Sequence, residues 1–76
     1  MKKNIFLNEL SEIMQLDNVL SGEESLEDLE EWDSLAILGV MSMFELELDI
    51  DLRSDQFEDL VTVKDLLLLA GDKVVD

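Results

Sequence analysis

The chain has 76 residues, with 5 basic and 20 acidic side chains giving a formal charge of −15, and it contains no His, Cys or Pro. Thiolate nucleophiles, imidazole bases, disulfides and Cys/His zinc sites are therefore excluded, and carboxylates, hydroxyls and amides remain for any chemistry. A chain this short buries only about 60% of its unfolded surface, so a single domain over residues 1–76 with a small core is expected, and a deep catalytic cleft is not.

The 47% apolar content is that of a folded domain and not of an acidic disordered chain. Lys2, Lys3, Arg53, Lys64 and Lys73 are scattered along the sequence, which disfavours nucleic acid as a ligand and favours basic partners. The longest uncharged stretch, Ser34 to Phe44, is 11 residues, too short to span a bilayer and too far from the N-terminus for a signal peptide. Cytoplasm is the expected compartment.

From Asn4 to Leu16, Phe6, Leu10, Ile13 and Met14 recur at helical spacing, with Asn8, Glu9, Ser11, Glu12 and Gln15 opposite, predicting a first amphipathic helix. Asp17 to Asp33 is acidic, with Leu20, Leu26, Leu29 and Trp32 as its only large anchors, and reads as a long ordered loop; Ser25 and Asp28 resemble a capping box for one helical turn. Asp33 then precedes an almost unbroken apolar run from Leu35 to Phe44, predicting a central helix capped by Asp33. Glu45 to Leu52 alternates acid and aliphatic as a strand would. A lone strand has no partner, so the first half is read as the end of the central helix and the second as an extended connection tucking in Ile50 and Leu52. Ser54 is expected to cap a short helix through Phe57 and Leu60. Thr62 and Asp65 form a capping box for a last helix that Gly71 ends.

Asp49, Asp51 and Asp55 suggest a calcium loop, but Arg53, Ser54 and Leu60 occupy the fifth, sixth and twelfth positions counted from Asp49, so the pattern fails and no metal site is expected. The pentapeptide Glu31, Trp32, Asp33, Ser34, Leu35 is more informative. It sets a hydroxyl in the first turn of a hydrophobic helix directly after a long loop, where free backbone N–H groups and the helix dipole would stabilise a phosphate ester. Ser25, in "ESLE", offers a similar Ser-Leu pair, but would leave Asp28 to Asp33 as an acidic continuation of its helix.

On the tripeptide Asp33-Ser34-Leu35, the length, the long loop, the "FELELDIDL" stretch and the "TVKDLL" start of the last helix, the whole chain resembles the acyl and peptidyl carrier proteins. The resemblance implies an all-α, acyl-carrier-like four-helix bundle with a long loop between helices one and two and a short third helix. It implies a non-enzymatic, stand-alone carrier in which Ser34 holds a covalent 4′-phosphopantetheine donated by a phosphopantetheinyl transferase, flanked by Asp33 and Leu35. Acyl- or aminoacyl-loading and acyl-transferring enzymes would then be its partners, with the cargo held as a thioester and the chain acting as a monomer in lipid or secondary-metabolite biosynthesis.

Fatty-acid carriers place acids along helix two; here the matching positions are Ala36, Gly39 and Leu46, and Ile37, Val40 and Met43 stand in addition to the core stripe, so an apolar recognition face next to Ser34 is expected. The resemblance therefore points to a specialised carrier with a dedicated partner. Trp32, Ala36, Ile37, Val40, Met41, Met43 and Phe44 are the candidate partner or cargo contacts. The apolar strip is either exposed as a partner surface or covered by the acidic loop through Leu26, Leu29 and Trp32. The alternative, resting on charge alone, is an unmodified acidic helical interaction module or nucleic-acid mimic that binds basic partners.

Overall fold

The computed structural model describes residues 1–76. It contains three α-helices, α1 (Lys3–Ile13), α2 (Ser34–Leu48) and α3 (Val63–Ala70), with single 3-10 turns at Leu26–Asp28, Ser54–Phe57 and Gly71–Lys73, and no strands. Phe6, Leu10, Val40, Phe44, Val63 and Leu66 form the fully buried centre. Phe6 of α1 meets Phe44 of α2 edge-on, with centroids 5.7 Å apart at 75°, a geometry that adds about 0.5–1.5 kcal/mol to the burial of the rings.

α1 stops three residues earlier than its apolar spacing suggests. Gln15 turns left-handed at φ 57°, and the Leu16 N–H returns to the Ser11 carbonyl at 2.9 Å. Ser11, expected on the polar face, is in fact buried. Its hydroxyl donates to the Leu7 carbonyl at 2.7 Å and accepts the Leu20 N–H at 2.9 Å, so the start of the acidic loop is anchored to α1.

The loop forms the expected single turn, but Ser25 does not cap it with its side chain. Ser25 instead pairs antiparallel with Thr62, and the Leu26 N–H donates to the Val61 carbonyl while the Val63 N–H donates to the Glu24 carbonyl. The Glu24 carboxylate accepts the Ser21 and Gly22 N–H groups at 2.8 and 2.9 Å. Burial pushes this carboxyl up, but these bonds outweigh that effect and hold it below the usual range.

α2 ends as anticipated. Asp49 adopts φ 57°, after which the chain is extended, with Leu52 buried and Ile50 half-buried. Ser54 is not the cap of the next turn. Arg53 holds that position, its N–H donating to Gln56 Oε1 at 2.8 Å, and the turn closes at Phe57 without reaching Leu60. At α3, Asp65 Oδ2 accepts the N–H groups of Val61 and Thr62 at 2.9 and 3.1 Å, which hold its carboxyl below the ordinary range. Gly71 ends α3 at φ 59°, a conformation that favours glycine.

Candidate functional site

The first turn of α2 has the geometry its sequence dictates. Asp33 sits in extended backbone, and its Oδ1 accepts the Ala36 N–H at 2.9 Å, satisfying one of the unpaired donors of the helix. Ser34, the next residue, opens the helix and is exposed, as are Asp33 and Leu35. Trp32 is half-buried and packs on Phe57, with ring centroids 6.2 Å apart, which fixes the loop just ahead of the serine.

An open groove of about 260 Å³ lies beside this turn. Ile13, Met14 and Gln15 at the end of α1 form one wall, with Asp33, Leu35 and Ala36 opposite. Its mouth carries the carboxylates of Glu31 and Asp33.

The other residues singled out from the sequence separate into two groups. Ala36, Val40, Met43 and Phe44 belong to the core, and Ile37 and Met41 are half-buried against it. Val40 and Met43 are therefore not part of an exposed strip. The apolar face that does reach solvent consists of Leu35 (77% exposed), Leu38 (59%) and Leu46 (84%), aligned along α2 with the exposed Ser42 between Leu38 and Leu46. Exposed Glu31 and Asp33 precede this stripe, and exposed Glu45 and Asp49 stand at its far end. The acidic loop does not cover it: Leu26 is buried in the core, Leu29 packs at its edge, and Trp32 turns to Phe57.

Leu38 escaped the sequence reading. α2 is apolar on nearly every side, so spacing alone cannot say which leucines face out. The available signal was Ser42, a polar residue one turn beyond Leu38 in the apolar run.

On the flank of α2 that meets α1, beside this stripe, Gly39 marks a close helix approach. A Cβ there would lie 2.7 Å from Ile13 Cγ2. Further along this α1–α2 seam, Glu9, Glu12 and Glu47 rim a shallow groove floored by Ile13, Gly39 and Met43. Burial, a hydrogen bond with Glu47, and repulsion from Glu47 and Glu12 together push the Glu9 carboxyl up to about 7. Glu9 Oε2 is buried without a hydrogen-bond partner.

No helix is long and apolar enough to cross a membrane. No trio of acidic side chains is grouped to hold a metal ion. Comparison with protein-family models, with curated proteins and with solved structures finds no match for this chain.

Proposed function

We propose that the chain is a stand-alone carrier whose Ser34 hydroxyl accepts 4′-phosphopantetheine from coenzyme A through a separate transferase, and that the arm then holds an acyl or aminoacyl group as a thioester. The observation that carries this reading is the exposed Ser34 at the head of α2, held by the Asp33 cap and followed immediately by an exposed aliphatic stripe.

In the transfer step the Ser34 oxygen attacks the β-phosphorus of coenzyme A. The phosphoanhydride bond breaks, 3′,5′-ADP leaves, and the serine proton passes to a base of the transferase. No base of this chain is needed, in keeping with the absence of His and Cys. The new phosphodiester carries one negative charge beside the N–H end of α2, where the helix dipole favours it by about 0.3–1 kcal/mol.

Leu35, Leu38 and Leu46 supply an apolar surface next to the arm, and the acids around it favour a partner whose docking groove is apolar with Lys or Arg at its margin. This arrangement supports a dedicated partner over one that reads acids along α2. The three α-helices, with the 3-10 turn Ser54–Phe57 between α2 and α3 in the place of a short third helix, are compatible with this reading.

The test is intact mass after incubation with coenzyme A and a broad-specificity phosphopantetheinyl transferase. One added phosphopantetheinyl group on the wild type and none on Ser34→Ala is the expected result. An unmodified protein under these conditions, and also when purified from its own cell, would replace the carrier reading with that of an unmodified acidic interaction module.

A further inference from the structure

Four of the five basic residues, Lys2, Lys3, Lys64 and Lys73, are scattered in sequence but gather where the two ends of the chain meet α3, whereas Arg53 stands apart, paired with Asp55. A parallel bridge between Lys2 and Val75, with the Lys3 N–H donating to the Val75 carbonyl at 2.6 Å, lays residues 1–3 against residues 73–75. Met1 N donates to the Lys73 carbonyl at 2.9 Å in the same place. Lys2, Lys3 and Lys73 thus stand on adjoining backbone, and Lys3 lines a groove together with Lys64 of α3. Although the chain carries 20 acids, its only ion pair is Arg53–Asp55, so all four lysines are left without a carboxylate partner.

The groove between Lys3 and Lys64 has a volume of about 290 Å³ and an aliphatic floor of Leu67, Leu68 and Val74. Leu68 is 70% exposed, although α3 has its own polar positions to turn outward. Glu23 and Asp76 also reach the opening, yet neither pairs with a lysine. Asp65, next to Lys64, is occupied in capping α3.

We propose that this groove binds a small amphiphilic anion, an aliphatic carboxylate whose head group lies between the Lys3 and Lys64 ammonium groups and whose tail covers Leu67, Leu68 and Val74. The unpaired ammonium groups select the charge, and the floor selects the chain. The net charge of −15 sets the size. An acidic protein surface, a nucleic acid or an anionic membrane would bring many charges within the screening length of about 8 Å and be repelled by the rest of the molecule, whereas a single carboxylate meets mainly its local partners. No residue of α2 or of the Ser34 turn lines the groove, so this site is independent of the carrier reading.

The experiment is a methyl-resolved NMR titration of the full chain with sodium octanoate below its micellar range, alongside octanol and octylammonium, and repeated on Lys3→Gln and Lys64→Gln. Octanoate is expected to shift the Leu67, Leu68 and Val74 methyl signals saturably. Each substitution should weaken binding about two- to fivefold, the span of an exposed charge pair, with the remaining spectrum unchanged. Equal binding of octanol would reduce the site to a greasy surface, and equal or tighter binding of octylammonium would assign it to Glu23 and Asp76. Either result overturns the proposal, as would shifts centred elsewhere, no shift at all, or two substitutions without effect.

Discussion

Replacing Gly39 by Ala puts the α1–α2 packing to a quantitative test. The added Cβ would lie 2.7 Å from Ile13 Cγ2 and 3.8 Å from Ile13 Cβ and Cγ1, whereas carbon atoms rest at about 3.5–4.0 Å. The first contact must open by about 1 Å, so Ile13 must leave its side-chain well or α1 must shift off α2. Such overpacking costs about 1–3 kcal/mol. Against it stands the gain of about 1 kcal/mol when Ala replaces Gly inside a helix. The expected net effect is a loss of about 1 kcal/mol, or a melting temperature lower by about 4–8 °C for a domain of this size. Thermal unfolding followed by far-ultraviolet circular dichroism measures it. The decisive comparison is the same substitution in an Ile13→Ala background. With the opposing methyl gone, only the helix-propensity gain remains, and Gly39→Ala should then stabilise by about 1 kcal/mol. Equal effects in the two backgrounds would refute the close approach as the reason for a glycine at this position.

Two further outcomes follow from the caps and the seam. Asp33→Ala removes the acceptor of the Ala36 N–H and should cost about 1 kcal/mol in urea unfolding, with Asp33→Asn retaining most of the stability. For Glu9, the folded-state value lies above the ordinary one, so the stability tied to its proton is fully present below 4.5 and is lost as pH rises through about 7. Glu9→Gln keeps the neutral form at every pH. Its advantage over the wild type should therefore emerge as pH climbs through that window and reach about 1 kcal/mol, after allowance for the solvent access of a half-buried group. Parallel stability curves for the two proteins across that window would show that the fold does not raise the Glu9 carboxyl.

The cap residues made most of the helix boundaries legible. Asp33 and the pair Thr62/Asp65 mark the starts of α2 and α3, and Gly71 marks a stop, because each satisfies or relieves backbone groups locally and needs no knowledge of the rest of the fold. Ser25 and Ser54 carry similar local signals and failed as caps. Ser25 is held by backbone pairing with Thr62, and at the Ser54–Phe57 turn Gln56 Oε1 accepts the Arg53 N–H instead. The first outcome depends on a partner distant in sequence, and the second on a shift of a single residue that propensity cannot resolve. The alternating Glu45–Leu52 segment was ambiguous by period and was settled by Asp49 turning left-handed. At the site, the position of Ser34 was legible from its neighbours, whereas the outward face of α2 was not, since Leu35, Leu38, Val40, Met43 and Leu46 are chemically alike and only packing separates them. The lysine groove was beyond any local reading, because it exists only when residues 1–3 meet residues 73–75.

The backbone bonds from Leu26 to Val61 and from Val63 to Glu24 strap the loop ahead of Ser34 to the entrance of α3 across more than 30 residues. Contacts this distant in sequence form late, because the intervening chain must first be closed at an entropic cost. During synthesis, α1 and α2 can emerge and pair while the loop still lacks its fastening. Until residues 61–63 have left the ribosome, the segment from Glu24 to Leu26 lacks its two backbone partners.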